Sequence, residues 1–126
     1  MRAEKLQDYL RHMQEGVKQV SDYISGMDKA DFLADKRTQQ AVIMNLVIIG
    51  EAATRAMNEF PDFTDSHSEI PWRNMRGMRN RIAHGYFDID LEQVWETAFT
   101  ALPDLNLQLS ALSDESPQNF GNAPNR

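Results

Sequence analysis

Between Ala41 and Ile49 nearly every side chain is apolar, and the run lies inside a longer helix-compatible segment, Lys36 to Phe60. A helix that is apolar on every side has to be buried on every side, so the rest of the chain must wrap around it. Asn45 interrupts the run, which is too short to span a bilayer, and no membrane association is expected. Asn45 itself reads as a core amide with its hydrogen bonds satisfied. Pro61 ends the helix.

The remaining segments show how the wrapping is done. Leu6, Leu10, Met13, Val17, Val20 and Ile24 recur at alternating steps of four and three residues, which predicts a one-faced helix from about Ala3 to Ser25 stopped by Gly26. Phe32 and Leu33 are expected to pack back onto the core, and Asp62 to Glu69 reads as a polar loop anchored by Phe63. Pro71 at a first-turn position predicts a third helix to about Ala83, with Gly85 permitting a chain reversal. Asp90 and Gln93 are spaced as a capping box for a fourth helix, whose apolar set runs from Leu91 through Trp95 and Leu105 to Leu112. Pro103 lies within that helix and predicts a kink near Phe99. Trp72 and Trp95 read as core or interface aromatics. No strand-period alternation occurs, so the expected fold is all-α, an antiparallel four- to five-helix bundle over residues 1–112. Residues 113–126, rich in Pro, Asn and Ser, read as a disordered tail.

Composition narrows the chemistry. There is no cysteine, which excludes disulfides and thiolate metal sites, and the charged N-terminus lacks a signal-peptide pattern, so a cytoplasmic protein is expected. His12 and His67 have no partners at metal-ligand spacing, and no metal or other cofactor is expected. The net charge of −6 argues against binding nucleic acid over the whole surface. Yet Pro71 to His84 contains Arg73, Arg76, Arg79 and Arg81 and no acidic residue, so one basic segment on an acidic body can still draw in a polyanion such as RNA.

Within that segment, Arg79-Asn80-Arg81-Ile82-Ala83-His84-Gly85-Tyr86 holds the inventory of a metal-independent ribonuclease. Histidine exchanges protons near neutral pH, arginine matches a phosphate and the charge that develops on it, and asparagine can hold a ring or a phosphate oxygen. Asn80 and His84 share a helix face with Arg76, whereas Arg79 lies about 140° from His84, within the apolar arc of Met75, Met78 and Ile82. An arginine on an apolar face needs a partner. Either the helix ends before His84, or a second subunit packs over this face across a twofold axis. Glu51 pairs with Arg55 one turn on or reaches Arg79. His84 before Gly85 also suits a plain helix-end cation, and the arginines a solvated face.

The Arg79-x4-His84-x-Tyr86 spacing, with Asn80 directly after the arginine, resembles the signature of HepT-type HEPN proteins. Gln40 to Ala52 resembles the central helix of that family, Ile70-Pro71-Trp72 with Gly77 to Asn80 its third, and Val94-Trp95 with Leu102-Pro103 its fourth. The resemblance implies a homodimeric HEPN-like bundle with a ribonuclease cleft at the dimer interface, an RNA endonuclease toxin. Arg79 and His84 would then be catalytic and Asn80 would shape the site; the charge reading above adds Arg73, Arg76 and Arg81 as RNA-binding cations, with Glu51 in support. It also implies an antitoxin partner, a minimal nucleotidyltransferase (MNT type) that transfers AMP to Tyr86. The competing reading is a non-catalytic helical subunit that binds nucleotides or a nucleotidyltransferase. A third is an interaction dimer in which Arg79 is an interface ion-pair partner.

Overall fold

The structure, a computed structural model, describes the backbone of residues 2–114 and the side chains of residues 4–112. Over that span the chain is all-α: α1 (Arg2–Tyr23), α2 (Lys29–Leu33), α3 (Lys36–Glu59), α4 (Pro61–Ser66), α5 (Trp72–His84), α6 (Leu91–Glu96) and α7 (Leu102–Asp114). A 3-10 turn, Tyr86–Asp88, follows α5, and a π turn, Thr97–Ala101, joins α6 to α7 in one bent column. The expected bundle of four to five helices is therefore present as four columns, with α2 and α4 as short additions. No described helix is long and apolar enough to cross a membrane. The tail expected from Ser113 lies outside the described residues, except that α7 includes Ser113 and Asp114.

Helix α3 is the hub, as its apolar run requires. Val42, Ile43, Leu46, Ile49, Ala52, Ala53 and Ala56 are all buried in it. Leu6, Leu10, Met13, Val17 and Val20 of α1 are buried as well, as is Ile24 just past its end, and α1 lies close on α3 at Gly16, where an added Cβ would stand 2.7 Å from Ile49 Cγ1. Gly26 ends α1 at a φ of 80°, a left-handed conformation that only glycine adopts without cost. Asn45 donates to the Ala41 carbonyl at 2.9 Å, which satisfies the amide inside the core.

Several local expectations need correction. Asp62 to Glu69 is not simply a loop: Pro61 ends α3 and at the same stroke opens α4, because its missing N–H is not needed in a first turn. Phe63 does anchor this segment, with its ring centroid 4.3 Å from that of His67 and 6.3 Å from that of Trp72. Phe32 is fully buried against Trp95, but Leu33 is exposed. The reciprocal capping box stands at Asp28 and Asp31, at the start of α2. At Asp90 the cap is one-sided, the carboxylate accepting from the Glu92 and Gln93 N–H groups. Helix α5 begins at Trp72, with Pro71 as its cap, and runs through His84. Gly85, at φ −145°, uses no glycine-specific conformation. The kink expected from Pro103 is taken up by the π turn, in which the Leu102 N–H reaches Thr97 O five residues back. Both tryptophans are buried core residues.

Candidate active site

Helices α3 and α5 cross in opposite directions. Met57 and Asn58 near the end of α3 line a cavity with Trp72 at the start of α5, whereas Gly50 in mid-α3 meets Met75 and Arg79. The crossing is very close. A Cβ at Gly50 would collide with the Arg79 Cβ and stand 2.7 Å from the Met75 carbonyl oxygen, so only glycine fits there.

That approach decides where Arg79 points. Its guanidinium turns onto α3, where Nη1 donates to Glu51 Oε1 at 2.6 Å and Nη2 to Thr54 Oγ1 at 3.3 Å. Thr54 in turn donates to the Gly50 carbonyl at 2.8 Å, which fixes its lone pairs toward Arg79. The other Glu51 oxygen accepts from Arg55 Nε at 3.0 Å, and that hydrogen bond pushes the Arg55 pKa above its ordinary value. Glu51 therefore takes both of the partners that its sequence position offered. The Arg79 side chain is 24% exposed, and its Nε is buried without an acceptor among the described residues. The helix does not end before His84. The apolar-face arginine finds its partner on the neighbouring helix of the same chain, through the Glu51–Arg79 pair that the sequence offered as one of two readings for Glu51.

Asn80 and His84 lie on the other side of α5 and are exposed, and the His84 imidazole has no hydrogen-bond partner among the described residues. Arg79 and His84 are thus on one short helix, but within the chain their side chains are not brought together. Tyr86 follows in the 3-10 turn, 49% exposed, with its ring edge-on to Phe87 at 5.9 Å. Phe87 is 97% exposed. The other arginines divide. Arg73 and Arg81 line a groove between α5 and the α6–α7 column, and Arg73 and Arg76 line a second cavity beside α4. Unlike Arg79, none of the three is ion-paired among the described residues.

Two contributors were not singled out from the sequence, Gly50 and Thr54. Their signal was present in Gly50-Glu51-x-x-Thr54: a glycine inside a buried helix costs stability unless something packs against it, and Thr54 returns to the same face one turn later. No group of three or more His, Cys, Asp or Glu side chains gathers among the described residues.

The sequence model of the family described as "Ribonuclease HepT-like" matches residues 13–112. The chain is 41% identical over 98 residues to a protein of Thermococcus cleftensis named "Probable ribonuclease HepT", covering 78% of this chain and 86% of that one. It is 34% identical over 96 residues to "Putative RNase MJ0127" of Methanocaldococcus jannaschii, covering 76% and 77%. A third relative, "Putative RNase TTE0752" of Caldanaerobacter subterraneus, is 31% identical over 104 residues, covering 82% and 90%. No solved structure matches the chain.

Proposed function

The chain belongs to the HepT-like ribonuclease family, and from that premise we propose that it is a metal-independent RNA endonuclease toxin acting through Arg79, Asn80 and His84. The observation that carries this reading is the division of labour on α5: a guanidinium held in place from α3, and an unencumbered imidazole exposed at the end of the same helix. Glu51, placed between Arg55 and Arg79, leaves the three-membered set with a net positive charge, so the clamp orients Arg79 without cancelling the cation.

In this reaction the RNA supplies its own nucleophile. The 2′-oxygen bonds to the adjacent phosphorus as a base removes its proton, and the bond from phosphorus to the 5′-oxygen breaks as that oxygen is protonated. The products are a 2′,3′-cyclic phosphate and a 5′-hydroxyl. His84 serves as one of the two proton-transfer groups, Arg79 stabilises the added charge on the phosphoryl oxygens, and Asn80, one turn before His84, steadies the ring or the phosphate.

Because Arg79 and His84 face different ways within one chain, the complete cleft requires a second copy. Met44 and Ile48 on α3 are 59% and 39% exposed, and the antiparallel crossing sets that end of α3 beside the end of α5, near exposed Tyr86 and Phe87. An apolar surface flanking His84 suits a homodimer interface that brings two α5 segments together.

Tyr86 is the proposed control point. Its hydroxyl is accessible and free of hydrogen bonds among the described residues. A minimal nucleotidyltransferase antitoxin joins it to the α-phosphorus of ATP, releasing pyrophosphate, and the bulky anion two residues from His84 then repels the RNA backbone. The cytoplasm is the compartment this reading requires.

The test is cleavage of total cellular RNA in EDTA by the wild type and by His84→Ala. The expected loss in the variant is about 10²–10⁴-fold. Absence of cutting by folded, dimeric wild type would remove the toxin reading and leave the nucleotide- or nucleotidyltransferase-binding subunit. Tyr86→Phe should still cut RNA but take up no label from ATP in the presence of the nucleotidyltransferase.

A further inference from the structure

The groove on the far side of α5 is not used by the chemistry proposed above. It has a volume of about 330 Å³ and lies between α5 and the column of α6, the π turn and α7. Its rim carries Arg73 and Arg81 on one side and Gln93 and Thr97 on the other, over a floor that includes Met78 and Leu102. In a chain of net charge −6, no acidic residue lines it. Both arginines lack an ion-pair partner among the described residues, so their charge is available to a ligand.

Gly77 supplies a second, independent observation. It stands midway between Arg73 and Arg81 on the same face of α5, and a Cβ added there would meet nothing nearer than the Arg81 Nη1 at 3.4 Å. A glycine in mid-helix is unfavourable, and here no close helix crossing accounts for it. What its missing side chain does is keep the groove open between two cations.

We infer that this groove is a subsite for a nucleotide of the RNA strand flanking the cut, with phosphates on Arg73 and Arg81 and the base against the apolar floor. The inference rests on the ribonuclease reading. A phosphorylated nucleoside matches the groove in each part: bidentate cations for the phosphates, an apolar surface for the base, and Gln93 or Asn74 for its polar edge. The position fits as well. Gly77 and His84 are seven residues apart on nearly the same line of the helix, about 10 Å, so one strand can pass from the groove to the imidazole.

The experiment measures binding of a labelled single-stranded RNA to the full chain in the His84→Ala background, where the strand stays intact. Filling the groove by Gly77→Leu, and separately removing both cations by Arg73→Ala with Arg81→Ala, should each weaken binding about tenfold. The double arginine variant should also lower the salt dependence by about two phosphate contacts. Arg73→Lys with Arg81→Lys should restore most of the salt dependence, and Lys18→Ala on α1 should change neither quantity. Unchanged affinity in both groove variants, with helical content intact, would overturn the subsite. Complete displacement of the RNA by 5′-AMP would overturn its assignment to a strand in favour of a free nucleotide. Failure of the wild type to cut RNA would instead count against the ribonuclease reading itself.

Discussion

Gly50 in α3 and Gly77 in α5 are both helix-interior glycines beside the candidate site, and they are there for opposite reasons. Gly50 is glycine because two helices touch: the Arg79 Cβ and the Met75 carbonyl occupy the space a side chain would need. Gly77 faces a groove in which ordinary contact begins only at an arginine tip. One flank of α5 is therefore closed, and the closure aims Arg79 at Glu51 and Thr54. The other flank is open and keeps its cations unpaired. A single helix thus holds one arginine rigid and leaves two others free for a ligand.

The largest effect expected from breaking this contrast is that of Gly50→Ala. The added methyl meets backbone, which cannot rotate away, so α3 and α5 must separate. The cost should be about 2–3 kcal/mol, even after the gain in helix propensity. Thermal or urea unfolding measures it, and a neutral result would mean that the crossing is looser than its geometry indicates. Cleavage should fall along with stability, because the spreading of the helices displaces Arg79.

Next in size is Glu51→Ala. It leaves the mostly buried Arg79 guanidinium with only the longer bond to Thr54. A loss of about 1–2 kcal/mol is expected, the range for a hydrogen bond to a charged group that still has some access to water. Glu51→Gln should recover part of the stability while restoring less of the activity, since an amide can accept the bond but attracts the guanidinium less. If Gln and Ala behaved alike in both assays, the carboxylate would be a surface charge and not a clamp.

The difference between the flanks was only partly legible in the sequence. Helical period revealed the seams of α1 and the fourth column, and the all-round apolar run from Ala41 to Ile49 revealed the buried character of α3, because burial is written in where the apolar side chains fall. It also placed Arg79 on an apolar arc in need of a partner. What it could not settle was which partner, since Glu51 lies 28 residues away and only the crossing of α3 on α5 joins them. Gly26 and Gly85 both read as glycines that turn the chain after a helix, but of the two only Gly26 has a positive φ, and no local pattern separates them. The π turn was foreshadowed by Pro103, as a kink. The groove was not, because it is made by the space between two columns and by the side chain that Gly77 lacks.

Gly77→Ala should move stability in the opposite direction from Gly50→Ala. The position is helical and the new methyl lies at ordinary contact distance, so the variant should gain about 0.5–1 kcal/mol from the reduced freedom of its unfolded chain. A gain in unfolding free energy would support the view that this glycine is kept for the groove and not for the fold. A loss would mean that the open flank is packed as tightly as the closed one, and the contrast between the two glycines would collapse.

The smallest effect belongs to Arg55→Ala. Its pair with Glu51 is one helical turn apart, and the two side chains are 56% and 44% exposed, so water screens the pair and removing it should leave the unfolding midpoint almost unchanged. The informative quantity is the coupling. In double-mutant cycles, Glu51 should couple to Arg79 more strongly than to Arg55, because the Arg79 end is the drier one and its bond is the shorter. Equal couplings would make Glu51 a surface ion-pair partner for two arginines alike. The orientation of Arg79 would then have to come from Thr54 and from the close approach at Gly50 alone.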